Sequence, residues 1–164
     1  FILLFVTFKA TAVEKIVFVD VQFILSNSSA GKSLYSQIKK IKKQKIPKIE
    51  KTQTDLRNEE KKLISQKNIL EVNEYNKKVT LLKKKIILHN KEKKILLDSL
   101  KNKQFNGRNE IIKAMTPILK DYASKNSISL ILQKNKILLG DTKIDITNEI
   151  LELLNKKIKK INLN

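Results

Sequence analysis

From residue 34 to residue 125 the chain contains only three helix-disrupting residues, Pro47, Gly107 and Pro117. Its apolar residues recur there at alternating three- and four-residue steps. That combination allows little except long helices with one apolar stripe each. The first stripe runs Tyr35, Ile38, Lys42, Lys45, Ile49, Thr52, Leu56, Glu59, Leu63, Gln66, Leu70. Ile49, Leu56, Leu63 and Leu70 fill one heptad position with apolar residues, whereas Lys45, Thr52, Glu59 and Gln66 make the other polar. A stable coiled coil needs both positions apolar, so this seam is half of one. Pro47 should remove a hydrogen bond and kink the helix.

Glu71-Val72-Asn73 interrupts the pattern, with Asn73 as a candidate N-cap. The second stripe runs Tyr75, Val79, Leu82, Ile86, His89, Lys93, Leu96, Leu100 without a slip, then resumes at Ile111, Met115, Ile118 and Tyr122. The gap from Leu100 to Ile111 reads as a four-residue stutter, with Gly107 adding backbone freedom. Two such helices around a break near 70–73 make an antiparallel hairpin. Its sparse seam predicts an arm that holds together but bends easily.

Charge concentrates in this region. Residues 34–125 carry 25 Lys+Arg against 10 Asp+Glu, most of the chain's net +19. Such a surface invites a polyanion or an acidic partner. Only two of the cations are arginines, Arg57 and Arg108, and there is no tryptophan. Planar phosphate recognition and base stacking are therefore poorly provided for, and no nucleic-acid partner is expected.

The flanks are different. Lys15-Ile16-Val17-Phe18-Val19-Asp20 reads as a buried strand, followed by a Ser-rich stretch, Ser26–Ala30, that starts a helix ahead of Gly31-Lys32. Ile128–Gln133 and Lys136–Leu139, flanking Lys134-Asn135, read as a strand hairpin. Asp145 or Thr147 should cap a last helix whose apolar face holds Ile146, Ile150, Leu153, Leu154, Ile158 and Ile161. The fold class is α+β: a long antiparallel helical hairpin inserted in a small β-sheet body. The expected divisions are 1–12, 13–33 (strand and helix of the body), 34–125 (the hairpin) and 126–164 (strands and helix of the body). Strands from opposite ends of the chain must meet at the hairpin's root. The expected core of that root is Ile16, Phe18, Val19, Ile128, Leu130, Leu132, Leu138, Ile146, Ile150 and Leu153. It is small, and without cysteine no disulfide can brace it, so copies of the chain are expected to associate and cover their sheet edges.

Phe1–Phe8 is almost wholly apolar and leads into Ala10-Thr11-Ala12, a small-x-small cleavage pattern. The reading is the end of a secretory signal cut near Ala12, its charged start expected ahead of Phe1. Eight apolar residues fall short of the roughly 20 that cross a bilayer.

Catalytic and metal chemistry have no candidates. His89 is the sole histidine and sits on the helix seam. Ser28–Ser33 ends like a phosphate loop, but Ser26 stands where that loop requires glycine. Glu59-Glu60 lies on a basic helix as a solvated pair. The chain reads as a non-enzyme without cofactor or metal.

The order of these parts resembles the Skp/OmpH family of periplasmic chaperones. The opening strand with Gly31-Lys32, the basic hairpin, Ile128–Leu132 and the Asp145-Ile146-Thr147 helix start carry the resemblance. It implies a homotrimer with a barrel-like base, three helical tentacles around a cavity, and unfolded outer-membrane proteins held there in the periplasm without ATP. Candidate client-facing residues are Leu63, Leu70, Val72, Tyr75, Lys77, Lys78, Leu82, Lys83 and Lys84. Lys83-Lys84-Lys85 is a candidate anionic-lipid or lipopolysaccharide site at the level of the family. Two alternatives use the same hairpin: a basic coiled coil binding nucleic acid, which needs a cytoplasmic address, and an envelope spacer, which would not suppress aggregation.

Overall fold

A computed structural model describes residues 14–163, so the expected signal segment lies outside the described residues. The elements are strand β1 (Lys15–Val19), helix α1 (Val21–Asn27), helix α2 (Ser29–Ser65), helix α3 (Val72–Lys125), strand β2 (Ile128–Gln133) and helix α4 (Thr147–Lys157). Short 3-10 turns occupy Lys134–Lys136 and Thr142–Ile144.

The two ends of the chain do pair. β1 and β2 form a two-stranded parallel sheet in which Phe18 faces Leu132 and Val19 faces Gln133, with an irregularity between Lys15 and Ile16. Ile146 N–H adds a hydrogen bond to Phe18 O at 2.9 Å. Parallel strands need a long crossover, and here the whole hairpin is that crossover. Ser127, with φ 52°, turns the chain from α3 into β2.

Side chains tie the start of α4 to the end of β1. Asp20 N–H donates to Thr147 Oγ1 at 2.8 Å, and the Thr147 hydroxyl in turn donates to Asp145 Oδ1. Asp145 Oδ1 also accepts from Thr147 N–H at 3.0 Å. The helix N-cap is thus Ile146, with Asp145 bonding just ahead of it. Asp20 meanwhile caps α1, accepting from Phe23 N–H at 2.9 Å. The Asp-Ile-Thr signal therefore joins the two chain ends as well as starting a helix.

Lys134 Nζ lies 2.9 Å from Asp145 Oδ2 and 5.6 Å from the centre of the Phe18 ring. Partial burial pushes the Asp145 carboxyl up, but hydrogen bonds from Thr147 and Lys134 and the Lys134 charge outweigh it and leave it below the ordinary 3.8. The Asp145 hydrogen bond and charge raise Lys134 above 10.5. The acidic limb of stability follows. The Asp145 contribution is complete above pH 3.8 and is lost as pH falls through the lowered folded-state value. The Lys134 contribution holds below pH 10.5 and fades as pH rises through the raised one. In urea melts, Asp145→Asn should be less stable than the parent at pH 6, and the gap should narrow progressively as pH falls below 3.8. A gap that stays constant down the whole acid limb would contradict the assignment.

The core gathers Val17, Val19 and Ile128 from the sheet with Ile24, Leu34, Ile111, Met115, Ile150 and Leu154 from all four helices. Within one chain, Phe18, Val19, Ile128, Ile146 and Ile150 are buried, whereas Ile16, Leu130, Leu132, Leu138 and Leu153 stay open to solvent. The expected second strand of the C-terminal hairpin does not form. Lys134–Lys136 turns as a 3-10 helix, and Leu138 and Leu139 are fully exposed in the loop beyond. β2 takes β1 as its partner instead of the residues that follow it.

Pro47 lies inside α2 and Pro117 inside α3. Two expectations about the helices also change. α3 begins at Val72, preceded by Glu71 and without a side-chain cap, so Asn73 is already helical. Gly107 is buried in the seam, seven residues after Leu100 and four before Ile111. A Cβ there would lie 2.5 Å from Leu34 Cδ1. The apparent stutter is therefore a position of close helix approach, filled by the one residue small enough.

Candidate functional site

Among the described residues, the hairpin arm is the large feature the body does not consume. α2 has 37 residues and α3 has 54, so α2 alone extends roughly 55 Å at 1.5 Å per residue. Near the root, Leu34 and Ile38 face α3, and Tyr35 points outward, off the expected stripe. Toward the tip, Leu56, Leu63 and Leu82 form a second small cluster, flanked by Leu70, Tyr75, Val79 and Ile86.

Between these clusters the seam is polar. His89 is buried at 2 % exposure with Nε2 3.2 Å from Gln53 Oε1, and its Nδ1 has no partner among the described residues. Alongside the tip cluster, Lys85 Nζ reaches across the helices to Glu59 Oε1 and Oε2 at 2.7 and 2.9 Å. This pair is half exposed and worth little by itself, but it fixes which residues of the two helices face one another. A shallow groove at Gln53 is lined by Ile46, Ile49, Leu96 and Leu97 together with Arg57 and Lys93.

The expected site residues separate into two groups. Leu63 and Leu82 are buried in the tip cluster, and Leu70 and Tyr75 are half-buried against it. Their apolar surface is spent on holding the two helices together. Val72, Lys77, Lys78, Lys83 and Lys84 are exposed. Sequence periodicity had marked the seam and missed the apolar side chains beside it. Leu81, Ile87, Leu88, Ile95 and Phe105 on α3 are all open to solvent, Ile87 at 68 %. The missed signal was the seven-residue spacing of Leu81, Leu88 and Ile95, one step round the helix from the seam.

At the root, Ser28 is fully buried and its Oγ accepts from Gly31 N–H at 3.0 Å, starting α2. Ser29 N–H donates to Asn155 Oδ1 on α4 at 2.7 Å. A Cβ on Gly31 would sit 2.0 Å from the Leu25 carbonyl oxygen. Gly31 thus lets α1 and α2 fold sharply against each other, which is the physical content of the Gly31-Lys32 signal.

This arrangement has counterparts. The family described as outer membrane protein (OmpH-like) matches residues 15–154, from the first residue of β1 into α4. The chain belongs to the OmpH-like family. A crystal structure of an OmpH-like protein from Caulobacter crescentus CB15, a candidate outer membrane chaperone, superposes with a TM-score of 0.78. It is 17 % identical, and the match covers 99 % of this chain and 96 % of that one. At that identity the likeness speaks for the OmpH-like fold. No curated protein matches. Among the described residues, no group of His, Cys, Asp or Glu could hold a metal ion, and no helix is long and apolar enough to cross a membrane.

Proposed function

We propose that this OmpH-like chain is an ATP-independent holdase. It keeps unfolded outer-membrane proteins from aggregating in the periplasm, in a basic cavity between the helical arms of a homotrimer. Membership of the OmpH-like family and a candidate outer membrane chaperone as a structural neighbour support a chaperone role.

The observation that carries the reading is the contrast between arm and root. The arm is long, lysine-rich and dotted with exposed apolar side chains. The root is a sheet of only two strands, with Ile16, Leu130 and Leu132 uncovered in a single chain. Sheet edges left open are a liability that association removes. Three copies joined at their roots would cover these residues and leave the arms free.

The arm's field draws in acidic, partly apolar chains, and lysine stems add methylene contacts while keeping their charge in water. Many weak contacts of this kind hold a client without imposing a shape. Of the residues expected to face it, Val72, Lys77, Lys78, Lys83 and Lys84 are accessible for that role.

The test is dilution of a urea-unfolded outer-membrane barrel protein into buffer, with light scattering as the readout. At a threefold molar excess of this protein, scattering should fall by at least half. Unchanged scattering would refute the holdase reading. Sedimentation equilibrium at micromolar concentration should give three times the chain mass, and a stable monomer would rule out the shared root.

A further inference from the structure

Exposed apolar residues are distributed very unequally between the two helices of the arm. Along α2 only Tyr35 and Ile64 are large apolar side chains open to solvent, one near each end. Along α3 there are eight, and three of them, Leu81, Leu88 and Ile95, recur every seven residues. Each follows a lysine by four positions: Lys77 and Leu81, Lys84 and Leu88, Lys91 and Ile95. Residues four apart are neighbours on a helix surface, and seven residues return to the same face. α3 therefore presents a row of apolar side chains bordered by a row of ammonium groups.

The lysines of that row are not taken up by ion pairs among the described residues, as some of their neighbours are. Lys78 is paired with Glu74 at 2.8 Å and Lys85 with Glu59 at 2.7 Å. Among the described residues, Lys77, Lys84 and Lys91 have no carboxylate within ion-pair distance.

We propose that this α3 face, Leu81, Leu88 and Ile95 beside Lys77, Lys84 and Lys91, is the surface that holds the client, and that α2 turns its charged face to solvent. The inference rests on the holdase reading. Its occupant is an unfolded polypeptide carrying both apolar side chains and carboxylates, because charge complementarity selects it. A second copy of the chain would set one lysine row against another in a protein of net charge +19. Nucleic acid would satisfy the lysines and leave the apolar row without a partner. An acidic, apolar-bearing client satisfies both rows at once.

The experiment uses the full chain and a urea-unfolded barrel protein as the probe. The substitutions Leu81→Ser, Leu88→Ser and Ile95→Ser are combined. All three positions are exposed, so helicity and assembly should be retained, which circular dichroism and sedimentation check. The triple variant should need at least ten times more protein than the parent to halve aggregation. A photo-crosslinking residue at position 88 should capture the client, and one at the exposed position 58 of α2 should not. A triple variant as active as the parent would overturn the assignment of the face, as would equal capture at 58. If the triple variant kept its client activity and lost binding to phosphatidylglycerol vesicles, the face would belong to a membrane and the proposal would fall. A parent protein without holdase activity would sink the functional reading itself, a result visible before any variant is made.

Discussion

Gly31→Ala is expected to destabilise the protein by about 3 kcal/mol, the upper part of the range for forcing extra atoms into a packed site. The added carbon would lie 2.0 Å from the Leu25 carbonyl oxygen, well inside contact distance. The obstacle is main chain, so no rotamer change relieves it. Either α1 moves away from α2 or the Ser28 cap opens, and both disturb Ile24, Leu25 and Leu34 in the core. For a chain of this size the melting temperature should fall by roughly 6–12 °C. Lys32→Ala, at the exposed neighbouring position, should stay within about 0.5 kcal/mol of the parent. Equal melting curves for Gly31→Ala and the parent would refute the close packing of α1 on α2.

The second large effect separates the two apolar clusters. Ile111→Ala removes a side chain with 0 % exposure from the middle of the main core. It should lower global stability by about 2–5 kcal/mol in denaturant melts. Leu82→Ala removes a similarly buried side chain, 5 % exposed, from the smaller tip cluster. There the polar stretch around His89 and Gln53 stands between the cluster and the root. The tip should open as a local unit, with faster amide exchange around 56–86 and much less change in the global transition. If Leu82→Ala lowered global stability as much as Ile111→Ala, the arm and the root would be a single cooperative unit.

Much of this architecture can be read from residue order. The opening strand, the strand at 128–133 and the start of the last helix lie where apolar periodicity and turn residues put them, whereas the interruption expected at 71–73 falls at 66–71 and the last helix ends at Lys157, before Ile158 and Ile161. Periodicity reports what one segment wants to bury, and these segments bury it in the expected way. It failed where the outcome depended on partners distant in sequence. Lys136–Leu139 has strand composition, but the chain leaves β2 through a 3-10 turn at Lys134–Lys136 that carries Leu138 and Leu139 away into solvent, and β2 pairs with β1 alone. Gly107 looked like flexibility because a glycine's role depends on what approaches it, and Leu34 comes from the other helix. Of the candidate site, the lysines were legible as an exposed basic face. The apolar residues chosen with them were the seam residues that the arm uses internally, such as Leu63 and Leu82. The exposed row on α3 escaped because apolar periodicity singles out the best-packed stripe, and Leu81, Leu88 and Ile95 form the stripe beside it.

The hydrogen bond from Asp20 to Thr147 joins residues 127 positions apart, and the first strand pairs with β2, which begins at Ile128 after both long helices. Closing so long a loop costs entropy before any pairing rewards it. A nascent copy emerging from a ribosome can wind its helices early, but its foundation stays unmade until the segments after α3 arrive. The topology thus leaves the newborn chain unanchored for most of its synthesis.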